Sequence, residues 1–289
     1  MSSLAGRILL LAALLLPAGC VNLAVRKGES PLAAPQMSPD SCALDIFFIR
    51  FPFNDPQVNG LMWREIDEQH FPAQLRQRLV RNGFRVGLVS GQMPIALSKL
   101  MELGDKPAAS GELPATEPTE FADQPRVLRR HLQLPAGRRS EIVTSGVYDR
   151  LPVLICEAGQ LGGQTYHQAQ TLLALRTFPQ DDGRVRLELM PELHHGEPSG
   201  RWVGNQAMMR LETQRPRRVF DEMAVSATLS PGAMLVISSL PQRPGSLGHH
   251  FFTEDGERLE QKLLVIRLSQ TQHDELSSPP PVLPLEEDL

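Results

Sequence analysis

The sequence predicts an α+β protein: a small α/β unit, 42–103, followed by a larger antiparallel, sheet-rich β domain, 126–272. Three observations carry that expectation. Helical patterns alternate with β-branched runs in the first stretch. A Pro/Ala/Glu-rich segment, 104–125, then interrupts all periodicity and reads as a linker. After it, short alternating runs succeed one another between glycine and proline turns. The 289 residues suffice for one substantial core or two smaller ones. A net charge of −4, from 29 basic and 33 acidic side chains, gives no electrostatic reason to expect nucleic acid as a partner.

The chain starts MSSLAGRILLLAALLLPAGC. Arg7 precedes nine consecutive apolar residues, 8–16, and small residues then lead to Cys20. Residues 1–19 read as a signal peptide, too short to span a bilayer. Ala18, Gly19 and Cys20 resemble the lipobox of bacterial lipoproteins, with Pro17 where a leucine is usual. That resemblance implies export, lipidation at Cys20 and a membrane anchor made of the N-terminal lipid. Val21, in place of an aspartate that would retain the protein at the inner membrane, implies the outer membrane, facing the periplasm. Residues 20–41, with three Ser, three Pro and one Gly and no sustained period, read as a tether. No later run approaches the roughly 20 apolar residues of a membrane helix.

CALDIFFIRFPF, 42–53, reads as a strand cut by Pro52. In NGLMWREIDEQ, Asn59 is a candidate cap, and Met62 and Ile66 share a helical face. FPAQLRQRLVRNG predicts a second helix, with Pro72 in its first turn, a Leu75/Leu79 stripe and Gly83 closing it. FRVGLV, 84–89, predicts a strand and MPIALSKLMEL a third helix. Beyond the linker, eight β-like runs lie between 127 and 271, turned by PAGR, DDGR, SPG, RPGS and EDGE. The polar, proline-rich end, 273–289, reads as a disordered tail.

Chemistry-bearing residues are few. PELHHG, 191–196, closes a run in which Val185, Leu187 and Leu189 alternate with Arg184, Arg186 and Glu188. That period of two predicts a half-buried strand, so His194 and His195 point to opposite sides. Neighbours on a strand cannot readily ligate one ion together. His249 and His250 pose the same difficulty and read as residues of a hairpin end; a metal would need one histidine from each pair. Glu65, Asp67 and His70 read as a solvated helix face. Cys156 and His167 have the types for thiol catalysis, but Cys156 lies in an apolar strand. GQLGGQT, 159–165, lacks the lysine of a phosphate loop and reads as a hairpin turn. Cys42 and Cys156 leave one disulfide or two buried thiols open. No cofactor is expected.

Three later runs, ALRTFPQDDGRVRLELMPEL, VSATLSPGAMLVISSL and QKLLVIRL, resemble the conserved β domain of bacterial secretins, the channels of type II and III secretion and type IV pilus systems. Pro231 and Gly232 match that family's turn, Met234 to Ile237 its apolar strand, and Leu263 to Ile266 its terminal strand. Ser238 and Ser239 replace the family's two glycines. Residues 194–216 leave little room for long pore hairpins, and the segment before the terminal strand is reduced. The resemblance thus implies a secretin-like fold without a pore. It points to a non-catalytic envelope lipoprotein that binds or assembles envelope proteins, in an oligomeric state left open. The alternative is an envelope metal-dependent hydrolase, its site between the two regions and its ligands drawn from His194, His195, His249 and His250.

Overall fold

The architecture is α+β, a smaller α/β region followed by a larger antiparallel sheet-rich region. A computed structural model describes residues 40–105, 126–205 and 208–272. The signal peptide, Cys20, almost all of the tether, most of the linker and the 273–289 tail lie outside those residues. Strand β1 (Ser41–Pro52) is followed by α1 (Ala73–Arg81), β2 (Phe84–Val89) and α2 (Ile95–Asp105). Then come β3 (Arg126–Pro135), β4 (Ser140–Val143), β5 (Tyr148–Glu157), β6 (Gln160–Pro179) and β7 (Val185–His194). The chain continues through β8 (Ser199–Asn205), β9 (Met208–Gln214), β10 (Arg217–Val219), β11 (Val225–Leu229) and β12 (Met234–Ser239). It ends in α3 (Leu247–Phe252), β13 (Thr253–Asp255) and β14 (Leu259–Gln272).

One antiparallel sheet has the order β2–β12–β14–β1–β3, with β13 also on β14. β12 and β14, from the end of the chain, thus separate β1 from β2, and the region 42–103 has no sheet of its own. In the second sheet β4 and β5 follow one another along β6; β6 pairs with β7, and β7 with β10 and β11. The sheets pack face to face, Leu44, Ile46, Leu264 and Ile266 against Val153, Leu173, Leu187 and Leu189. The other face of the first sheet, Phe47, Ile49, Val236 and Val265, is covered by Val58, Met62, Trp63 and Leu97. β12 and β14 are therefore buried on both faces, which is why MLVI and LLVI are unbroken apolar runs.

Several local expectations change. The stretch read as a helix from Asn59 is a π turn, Gln57–Leu61, and a 3₁₀ turn, Met62–Arg64. It starts earlier because the Asp55 carboxylate accepts from the amides of Gln57 (2.7 Å) and Val58 (3.0 Å), the job assigned to Asn59. Residues 160–165 are strand, not turn. The β5–β6 hairpin turns at Ala158 and Gly159, whose φ values of 50° and 82° are those of a type I′ turn. Pro231 and Gly232 do turn the chain, with Gly232 at φ 84°, but not within a hairpin. They carry it from β11 in one sheet to β12 in the other. β8 and β9 pair only with each other among the described residues. At seven residues each they are shorter than the roughly nine to eleven of a tilted transmembrane strand.

The junction between the regions is polar and specific. The side chain of buried Asn82, just past α1, donates to the Cys156 carbonyl (3.0 Å) and accepts from the Cys156 amide (2.8 Å). It thereby satisfies both backbone groups of a residue on β5, as a neighbouring strand would.

Candidate functional site

The two histidine pairs are held by different partners. His194 Nε2 lies 3.2 Å from Glu192 Oε2, at the end of β7. His195 packs against the ring of Tyr166, with centroids 5.1 Å apart. His249 and His250 are not at a hairpin end but on α3, whose N-cap is Ser246; the Ser246 hydroxyl accepts from the His249 amide. His249 Nδ1 sits 3.2 Å from the Thr253 hydroxyl, and His250 Nε2 donates to the Pro152 carbonyl at 3.0 Å. Burial lowers the pKa of His195, His249 and His250; neighbouring His194 and Arg218 add to the shift at His195, and His249 adds to it at His250. Among the described residues no three His, Cys, Asp or Glu side chains form a metal-holding group.

The other sequence candidates separate as well. Register places Cys156 opposite Leu161 and His167 opposite Arg150, six positions along the hairpin. That is about 20 Å, far beyond thiol–imidazole contact. Cys42 and Cys156 are free thiols, and burial raises the pKa of Cys42. Asp67 shapes a turn: its carboxylate accepts from the amides of Gln69 and His70.

Two polar constructions were not foreseen. On the outer face of the second sheet, Glu192, 5% exposed, accepts from Arg139 at 2.7 Å, with Arg217 at 3.8 Å. These side chains border a cavity of ≈ 350 Å³ that also exposes Ala174, Met190 and Val225. In the first sheet, Asp45 is 1% exposed and receives Arg267 at 2.7 Å, His131 at 3.1 Å and Arg129 at 3.2 Å. Burial alone would raise its pKa, but the hydrogen bonds from Arg267, His131 and Arg129 outweigh that and bring it to about 2. Asp45 stands directly across from Arg267 on β14 and His131 on β3, so the cluster ties three strands at one register. A single aspartate inside the apolar run CALDIFFIRF was its available signal.

The cluster joins an edge strand to its neighbours. Among the described residues nothing pairs with the outer side of β3, ten residues long. The Ala136 amide bonds to the Asp40 carbonyl at 2.7 Å, and antiparallel bonding repeats every second residue. The backbone groups of 134, 132, 130 and 128 therefore face β1, and those of 127, 129, 131 and 133 face outward. Leu128, 53% exposed, and the exposed Arg129, Arg130 and His131 flank that ladder. Such an edge can accept an extended segment, and its cations favour an acidic one. Compared with known proteins, the chain matches no protein-family model, no curated protein and no solved structure.

Proposed function

We propose that the protein is a lipid-anchored envelope protein, without catalytic activity, that binds other envelope proteins by adding a partner strand to β3. What supports the reading is the outward row of backbone groups along β3, a strand tied to Asp45 through Arg129 and His131 and bordered by cations. Main-chain hydrogen bonds would give the affinity, and the Arg129 and Arg130 side chains the preference for acidic sequence. The likeness of 139–269 to secretins makes a secretion- or pilus-like assembly the partner class, with the lipid on Cys20 holding the module at the outer membrane. The hydrolase alternative requires the histidine pairs to converge, and their observed partners give it no support.

Gln133→Pro tests the edge, because it removes an outward amide while keeping the bonds to β1. Affinity purification from envelopes should recover a stoichiometric partner with the wild-type chain and lose it with Gln133→Pro, at unchanged secondary structure. Equal recovery with both chains would refute β3 as the docking edge, and a clean monomer would refute the adaptor role. Separately, Cys20→Ala is expected to move the protein from the membrane to the soluble fraction; unchanged fractionation would count against the lipid anchor.

A further inference from the structure

Beside the β3 edge, at the mouth between the two sheets, is a cavity of ≈ 290 Å³. Its floor carries Lys262, on the side of β14 where Leu264, Ile266 and Leu268 face the second sheet. A lysine at such a position is costly, since its ammonium gives up water for whatever the protein supplies. The supply here is modest. Lys262 is 6% exposed; its Nζ donates to the Thr144 carbonyl at 2.5 Å and stands 3.8 Å from Glu254 Oε2. An ammonium has three N–H groups to satisfy.

The surroundings add positive charge. Arg50 lies directly across from Lys262 in the β1–β14 register, and Arg130 of β3 also borders the cavity. Glu254, 3.2 Å from Arg50, is the single carboxylate among the described residues of the lining, where three cations face it. Phe48 and Leu128 supply apolar wall. Burial lowers the pKa of Lys262; Glu254 opposes the shift, and Arg50 adds to it. The opening exists because β4 and β5 break at 144–147, where the Thr144 carbonyl turns onto Lys262 rather than onto a strand.

We propose that this cavity is a binding site for a carboxylate, gripped by Lys262 and Arg130 and seated against Phe48 and Leu128. An added carboxylate brings the site nearer to neutrality and completes the hydrogen bonding of Lys262. The apolar wall selects a carbon-bearing anion over a bare inorganic one. Two sources share that chemistry: a free organic acid, or a glutamate side chain on a strand docked at β3. Only the second rests on the function proposed above.

The test uses the mature chain with ¹³C-labelled lysine. The sequence has four lysines, so the Lys262 signal is assigned by its absence from Lys262→Met. Lys262→Met replaces a buried ammonium by an apolar side chain of similar length and is expected to fold. Benzoate, added at constant ionic strength, should shift the Lys262 signal saturably. Calorimetry should show affinity about tenfold weaker in Lys262→Met and in Arg130→Gln, the loss of one charge-assisted hydrogen bond. Absent saturation, equal affinity in both variants, or phosphate binding as tightly as benzoate would each overturn the proposal. A short strand peptide with glutamate, compared with its glutamine twin, then separates the sources. Displacement of benzoate by the glutamate peptide alone assigns the carboxylate to a docked partner. Benzoate binding without such displacement assigns it to a free acid, and leaves the site standing even if the β3 reading fails.

Discussion

Replacing Asp45 by Asn is expected to lower stability by about 2–3 kcal/mol at pH 7, with the deficit vanishing in strong acid. The magnitude follows from the pKa of Asp45, moved from 3.8 to about 2, at about 1.4 kcal/mol per unit. A carboxylate whose folded pKa is depressed stabilises the fold fully above its unfolded pKa. That contribution drains away as pH falls through the folded value. The difference between wild type and Asp45→Asn should therefore be constant above pH 3.8, shrink between there and pH 2, and be gone below. Urea titrations of both chains across that range measure it directly. A difference independent of pH would mean that Asp45 acts through shape, not charge. Its partners are more exposed than it is, Arg129 at 51% and Arg267 at 30%, so they can return to water in the variant. The cost thus stays below the 3–5 kcal/mol of a buried pair broken with no such escape.

Gly248→Ala is expected to cost about 3 kcal/mol or more, the upper end of overpacking effects. A β-carbon at 248 would lie 2.2 Å from the Gly83 carbonyl oxygen, 2.4 Å from its carbon and 2.8 Å from the Phe84 nitrogen. All three are backbone atoms and have no rotamer to escape into. The contact is held from both sides: the Gly248 amide bonds to the Asn82 carbonyl and the Leu240 amide to the Gly83 carbonyl, each at 2.8 Å. Gly91→Ala is the control, because a β-carbon there meets nothing within 4 Å and should change stability by less than about 0.5 kcal/mol. If both variants unfold at the same denaturant concentration, α3 does not press on the exit of α1.

The fold class was legible because it rests on periodicity. Val185, Leu187 and Leu189 announce a strand with one face in water, and Leu75 and Leu79 a helix with one apolar stripe. Turns were legible where their residues are specific, as at Pro231 and Gly232. What such a turn joins was not, since a sharp reversal serves a hairpin and a crossing between sheets equally well. α3 was missed although Ser246 caps it and Leu247 and Phe251 fall at helical spacing. Six residues between two glycine turns read more readily as loop than as helix, and its histidines were misplaced with it.

The candidate site was less legible than the fold. Arg129, His131 and Arg267 look like ordinary surface charges along the chain, and Lys262 like the polar start of an apolar strand. Their meaning depends on who stands opposite. Asp45 meets Arg267 after 222 residues and His131 after 86. Lys262 meets Thr144 after 118. Taken by itself, the sequence determined most of the longer strands, the helices α1 and α2 and the apolar side of each, because those properties are set within a few residues; it did not show α3, the β8–β9 pair or the π and 3₁₀ turns of 57–64. Tertiary structure alone decided that β12 and β14 slot between β1 and β2, that β3 is an edge among the described residues, and that a lysine lines a cavity. Strand order and cross-strand pairing are set by burying several apolar faces at once, a condition met by distant segments together and written in none of them singly.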